Sequence, residues 1–115
     1  MRGYAIAALG SLLVTPQADA ATMAWICQFP TFDEPITFVW EVGKPMATMI
    51  GNAGTAPVRI HGSDRIISFV EFVDSGAVMS TTIVLANGSA VHSRNTVLRG
   101  NFVVSQAKGT CQQRD

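Results

Sequence analysis

The sequence predicts an all-β protein, a small antiparallel meander of about eight short strands. Two observations lead to this fold class. Short runs of alternating apolar and polar residues recur at spacings of about 8 to 12 residues, with turn-forming residues between them. In addition, Asn87-Gly88 stands between two β-branched runs, and this dipeptide is the strongest short-range signal for a hairpin. No run after the first twenty residues has the period of a helix.

The first twenty residues have the pattern of a signal peptide. Arg2 supplies a positive charge, an apolar run covers residues 4–14, and Ala18-Asp19-Ala20 is a small-x-small cleavage site. We therefore predict a signal peptide at 1–20 and a single β domain at 21–115, in the bacterial periplasm or secreted. The apolar run is too short to span a bilayer, and no integral membrane segment is expected after cleavage. An N-terminal core helix is the alternative.

In the first half of the domain, alternation predicts strands at residues 24–29 and 36–42, and turn-forming residues bound two shorter predicted strands at 46–50 and 58–61. The clearest is 36–42, where Ile36, Phe38, Trp40 and Val42 share one face. The short strand at 58–61 is predicted at an edge of the sheet, because Pro57 cannot donate to a ladder and Arg59 suits an exposed position.

In the second half, residues 65–73 are nearly all apolar, β-branched or aromatic, which favours a central strand covered on both faces. Strands at 77–86, 89–98 and 102–107 follow. A two-residue type I′ turn at Asn87-Gly88 would pair Ile83 with His92. Residues 112–115 are predicted to be a frayed tail.

The two cysteines lie near opposite ends of the predicted domain, and both are expected in an oxidising compartment. We predict a disulfide between Cys27 and Cys111 that joins the first strand to the last. Such a bridge favours a closed barrel over a sandwich, since closure brings those two strands together. Two free thiols or an intermolecular pair are the alternatives.

The charge balance bears on the class of partner. Eight basic and eight acidic side chains give a net charge of zero at pH 7, which argues against nucleic acid as a partner. Two histidines of unhelpful spacing and two cysteines better used in a disulfide do not supply the ligands of a zinc site. No cofactor or metal is expected, and the expected oligomeric state is a monomer.

A candidate polar site combines His92, Arg94 and Glu71. His92 and Arg94 share a face of the hairpin with Ile83, so His92 is expected at a barrel rim or as a hydrogen-bonded core histidine. Glu71 shares a face with Phe69 and is expected to point outward; if it is buried, it needs a partner or a raised pKa. His61, Ser63 and Asp64 are consecutive turn residues and cannot converge as a triad.

The large aromatic side chains lie early in the chain. In a small barrel they are expected to fill the interior rather than line a ligand pocket. These residues are Trp25, Phe29, Phe38 and Trp40.

The outline of Cys27, a Ser75-Gly76 segment before a hairpin and a closing Gly109-Thr110-Cys111 is similar to small secreted proteobacterial β proteins that end in Gly-Thr-Cys. It also resembles, more faintly, the envelope inhibitors of c-type lysozyme, which use a Ser-Gly-x-x-Tyr segment. Here Met79 stands where the tyrosine would be. This resemblance implies a small barrel with a terminal disulfide and a contact loop at Asp74, Ser75, Gly76 and Ala77.

Three functions remain open at this point. The leading hypothesis is a non-enzymatic binding protein, with an inhibitor of a lytic enzyme as one version and an unknown protein as partner. The second is a small hydrolase or lyase that uses His92 with Glu71, which requires both in one concave site. The third is a structural subunit of an envelope assembly, which predicts exposed apolar edge surface and self-association.

Overall fold

The computed structural model describes residues 21–114, so the predicted signal peptide at 1–20 lies outside the described residues. This part of the chain forms eight antiparallel strands in a closed barrel, in which each strand pairs with its neighbours in sequence and the first pairs with the last. The predicted all-β fold, barrel and disulfide are confirmed. The strands are β1 Thr22–Gln28, β2 Ile36–Glu41, β3 Met46–Gly51, β4 Gly54–Gly62, β5 Ile66–Phe72, β6 Val78–Val84, β7 Ser89–Leu98 and β8 Asn101–Arg114.

The loops divide between the two ends of the barrel. End A carries the β2–β3, β4–β5 and β6–β7 connections. End B carries the β1–β2 loop at 29–35, the β3–β4 turn, the β5–β6 loop at 73–77 and the β7–β8 turn. In residues 21–114 there is no helix of the length and apolarity needed to cross a membrane.

The core follows the period-2 alternation of the strands, which sends every second side chain inward. Phe38 and Phe69 stack at its centre, with ring centroids 4.2 Å apart and planes within 7°. As predicted, Trp25, Phe29 and Phe38 are buried, while Trp40 is half-buried and donates its Nε1–H to the Lys44 carbonyl at 2.8 Å.

Barrel closure depends on the β1–β8 seam. Cys27 and Cys111 are Cα partners there and form the disulfide. Gly109 lies close to β1: a Cβ at this position would stand 2.1 Å from the Gln28 carbonyl oxygen and 2.6 Å from the Phe29 ring. The seam therefore combines a covalent bond with a backbone approach that only glycine permits.

The predicted register of the β6–β7 hairpin is wrong by two residues. Ile83 pairs with Ala90 and Thr81 pairs with His92, so four residues, 85–88, form the connection. Gly88 has a φ of +76°, whereas Asn87 does not have positive φ, which excludes a type I′ turn. Asn87 instead accepts the Ser89 amide through Oδ1 at 2.9 Å. Because the shift is even, the predicted faces of both strands survive.

Two predictions for β4 and β5 are also wrong. β4 is not an edge strand, because it pairs with β3 on one side and with β5 on the other. Its ladder with β5 begins at Arg59, so the missing N–H of Pro57 costs no hydrogen bond to β5. β5 is not covered on both faces. Phe69 points into the barrel, while the other face forms the outer wall, and Phe72 is strongly exposed.

The predicted frayed tail is wrong as well. Residues 112–114 belong to β8 and pair with β1, which makes β8 a strand of 14 residues rather than six. Its first half lies outside the barrel wall. Together, residues 95–106 of β7 and β8 form a hairpin, here called the arm, that projects at end B and turns through Arg99 and Gly100 at φ of 54° and 80°.

Candidate functional site

The predicted polar residues converge at end B. Two adjacent rows of Cα partners cross β5 to β8 there. The deep row is Phe69, Thr81, His92 and Ala107, and the mouth row, two residues nearer end B, is Glu71, Met79, Arg94 and Ser105. Because side chains two residues apart share a face, the mouth row continues the inward face to the opening, where Glu71 and Met79 are half-buried and Arg94 and Ser105 are exposed. His92 and Arg94 therefore lie on the same face of β7, as the alternation predicted.

His92 is a buried, hydrogen-bonded histidine. Its Nδ1 lies 2.7 Å from Thr81 Oγ1, a bond that fixes the orientation of the ring. Two rings from the β1–β2 loop pack on it: Phe32 meets it edge-on with centroids 5.4 Å apart, and Phe29 lies at 5.8 Å. Burial, and secondarily the positive charge of Arg94, lowers the pKa of His92 below its usual 6.5, so the imidazole is neutral at pH 7.

Glu71 differs from its prediction. It was expected to point outward, but it is half-buried and continues the inward face of Phe69. Its Oε1 is buried with no hydrogen-bond partner in the described chain. An oxygen in this position lacks the partners that normally offset desolvation, and Glu71 does not line the end-B cavity beside it.

A cavity of about 390 Å³ opens at end B beside these rows. His92, Arg94 and Met79 form its strand wall. The β1–β2 loop and the β3–β4 turn form the rest, and Arg94 is the one cationic side chain among the described residues that line it. The loop and turn residues at the cavity are Phe32, Asp33, Glu34, Pro35, Ile36, Met49 and Gly51–Gly54.

The predicted contact loop lies at the same end, between β5 and β6. Its tip at Asp74, Ser75 and Gly76 is exposed, whereas Ala77 is buried. Val73 holds the base of the loop: its amide donates to the Ala77 carbonyl and its carbonyl accepts from Gly76, each at 2.8 Å. The loop is a tight, preformed projection next to Glu71. Ala77 supports it from inside and is not itself available for contact.

A second cavity, of about 540 Å³, lies at end A between the two tryptophans. Both Trp25 and Trp40 line it, with Lys44, Ser63 and Gln113 at its polar edge. The tryptophans were predicted to fill the interior rather than line a pocket, but their rings also form part of a cavity wall. Trp25 Nε1 is buried without an acceptor among the described residues.

The part of the site that the sequence did not reveal is the β1–β2 loop. Asp33 and Glu34 lie between the predicted strands at 24–29 and 36–42, and the alternation that identifies inward side chains does not extend into loops. The available signal was a pair of acids and Phe32 in a segment between two prolines. In the described residues, no three His, Cys, Asp or Glu side chains form a group that could hold a metal ion.

Comparison of this chain with protein-family models, with curated proteins and with solved structures gives no match. The resemblance to lysozyme inhibitors therefore stays a prediction.

Proposed function

We propose that this is an exported, non-enzymatic binding protein whose binding site is the end-B cavity. The observation that carries the proposal is the convergence of His92 and Arg94 with the acidic β1–β2 loop residues Asp33 and Glu34 in the wall of one cavity. Among the described residues that line the cavity there is no serine, threonine or cysteine to act as a nucleophile. The disulfide is compatible with an oxidising compartment, and export through the signal peptide at 1–20 is part of the proposal.

The charges of the cavity favour a ligand that carries both signs. Arg94 can receive a carboxylate, and guanidinium is well suited to bind it through two parallel hydrogen bonds. Asp33 and Glu34 at the rim can receive an ammonium group. Met49, Met79 and Phe32 provide apolar wall between the two charges. A free amino acid with an apolar side chain, or the end of a short peptide, has this arrangement, and the cavity volume lies in the range of small-molecule sites.

The test uses leucine as the probe and NMR of the two histidine rings as the readout. Leucine is expected to shift the His92 ring signals, whereas N-acetyl-leucine and leucinamide, which each lack one charge, bind at least tenfold more weakly. His61 lies at end A and serves as the internal control. Arg94→Gln abolishes the shift, and the matched variant Arg99→Gln in the arm turn leaves it intact. Equal binding of all three probes would reject a ligand of both signs.

The inhibitor version of this proposal assigns the contact to the loop tip at Asp74, Ser75 and Gly76. Titration of c-type lysozyme with the purified protein tests it directly. A loss of muramidase activity at micromolar excess, relieved by replacing Ser75 with Lys, supports it. Full muramidase activity at that excess removes the inhibitor version and leaves the cavity proposal standing.

One observation favours a second function, that of a small hydrolase or lyase. His92 is neutral at pH 7, so it can accept a proton, and it shares a cavity with Asp33 and Glu34. Glu71, the partner expected from the sequence, does not line this cavity, so the acidic partner in this version is Asp33 or Glu34. Turnover of p-nitrophenyl esters that disappears in His92→Gln and persists in His61→Gln would establish this function. Identical background rates in all three proteins would reject ester hydrolysis.

A further inference from the structure

The arm presents more apolar surface than any other part of the described chain. Five of its side chains, Val97, Leu98, Phe102, Val103 and Val104, are between 48% and 80% exposed. They divide between the two faces of the hairpin: Val97, Phe102 and Val104 share one face, and Leu98 and Val103 lie on the other. Isolated apolar residues on a surface are ordinary, but a projecting hairpin that exposes apolar side chains on both faces is typical of an interaction site.

The arm also has a free backbone edge. β8 pairs with β7 from Asn101 to Thr110, but its other edge pairs with β1 only from Thr110 to Arg114. Within residues 21–114, the outer edge from Asn101 to Gln106 therefore has no strand beside it. This edge has none of the features that normally block pairing: residues 101–107 contain no charge and no proline.

The geometry of the turn shows which backbone groups are free. In a hairpin with a two-residue turn, the residues that flank the turn, Leu98 and Asn101, form a hydrogen-bonded pair. Hydrogen-bonded pairs then recur at every second residue, so Val103 and Ser105 bond to β7. The amide and carbonyl groups of Phe102, Val104 and Gln106 point to the open edge.

We propose that this edge pairs with the same edge of a second copy of the chain, antiparallel and about a two-fold axis at Val104. This register matches free groups with free groups: Val104 lies opposite its own copy, and Phe102 lies opposite Gln106 of the partner subunit. The two copies then exchange six backbone hydrogen bonds. No charged residue lies in the paired segment, and apolar side chains meet apolar or uncharged ones on both faces.

A second copy fits this edge for two reasons. The segment is self-complementary under two-fold symmetry, as an isologous interface requires. Pairing also sets Val104 beside its own copy and Phe102 diagonally next to Val104 of the partner subunit, which gives two strongly exposed side chains apolar neighbours across the new ladder. Among the described residues, the opposite edge of the arm is free only at residues 96–98 of β7, which is too short for the same ladder. The association therefore closes at a dimer and does not grow into the larger assembly of a structural subunit. This inference is independent of the cavity proposal.

Analytical ultracentrifugation of the purified disulfide-bonded protein tests the proposal. We expect a concentration-dependent monomer–dimer equilibrium in which Val104→Lys, by placing two like charges across the axis, weakens association at least tenfold. Val84→Lys is the matched control, because Val84 is also an exposed strand valine but lies at end A. A wild-type monomer at all concentrations, or assemblies larger than a dimer, would overturn the proposal.

Hydrogen exchange provides a readout that does not depend on a variant's folding. If the edges pair, the amides of Phe102, Val104 and Gln106 become protected as concentration rises, whereas those of Val103 and Ser105 are already protected in the monomer through β7. A dimer in which all five amides respond alike would show that the copies associate by another surface, and edge pairing would be rejected.

Discussion

The two halves of β8 have similar length and opposite surroundings. From Gly109 to Arg114 the strand passes from its ladder with β7, which ends at Thr110, to its ladder with β1; it is cross-linked through Cys111 and lies close to Phe29. From Asn101 to Gln106 it pairs with β7 alone and exposes Phe102 and Val104. Stability is thus concentrated in the half with less apolar sequence. Apolar character and contribution to folding are separate properties within a single strand.

The disulfide gives the largest expected difference between the halves. Replacing Cys27 and Cys111 by alanine frees a loop with a sequence separation of 84 residues, for which chain entropy predicts a loss of up to about 4 to 5 kcal/mol in the free energy of unfolding. Urea denaturation of the double variant measures this loss. Val104→Ala in the arm is the control and is expected to change it by less than about 0.5 kcal/mol. An equal effect of the two changes would contradict the comparison.

Two phenylalanines compare the core with the arm directly. Phe69→Ala removes a fully buried ring that stacks on Phe38, and we expect a loss of about 3 to 5 kcal/mol. Phe102→Ala removes a ring that is 80% exposed and is expected to be neutral within about 0.5 kcal/mol. Thermal denaturation at a protein concentration low enough to dissociate a dimer measures both. A large loss in Phe102→Ala under those conditions would mean that the arm packs on the barrel.

Gly109 tests how closely the seam is built. Ala at this position places its Cβ against the Gln28 carbonyl and the Phe29 ring, so β1 and β8 must separate, and we expect a loss of about 1 to 3 kcal/mol. Gly51→Ala is the matched control, because a Cβ there meets nothing within 4 Å and φ is not positive. Chemical denaturation of both variants at equal concentration distinguishes a steric effect from a general intolerance of alanine at glycine sites.

The fold was predictable where local pattern and global structure agree. Alternation located β1 and β2, a nearly continuous apolar run located β5, and turn-forming residues separated the remaining strands. The positions of Cys27 and Cys111 predicted barrel closure. The turn type was not predictable. Leu85 donates its amide to the Arg65 carbonyl, so a tertiary bond draws the end of β6 out of the hairpin ladder, and the tight turn with positive φ forms at Arg99-Gly100 instead. Arginine carries no local signal for that conformation.

Of the candidate site, the residues on strands were predictable and those on loops were not. His92 and Arg94 follow from period-2 alternation along β7, which survives an even register error. The predicted orientation of Glu71 was wrong. A single charge in an apolar strand favours an outward side chain, but at the mouth of a barrel a charged side chain can also end an inward face. Asp33 and Glu34 could not be placed, since loops have no period from which a direction follows.

His92 lies where the two halves of β8 meet, opposite Ala107, and its titration gives the smallest predicted effect. Its pKa is lowered in the folded protein, first by burial and then by Arg94. At a pH between the folded value and 6.5, the unfolded chain therefore binds more protons than the folded one. The contribution of His92 to the free energy of unfolding is complete above pH 7.5 and is lost as the pH falls through 6.5 to the folded pKa.

Denaturation midpoints at pH 8 and pH 5.5 measure this effect. The decrease on acidification is expected to be smaller in His92→Gln than in the wild type. NMR titration adds a direct check, because Arg94→Gln removes the nearby positive charge and must raise the pKa of His92 while burial still holds it below 6.5. A His92 pKa that does not move in Arg94→Gln would show that the two side chains do not share the mouth of the barrel, and the convergence at end B would be lost.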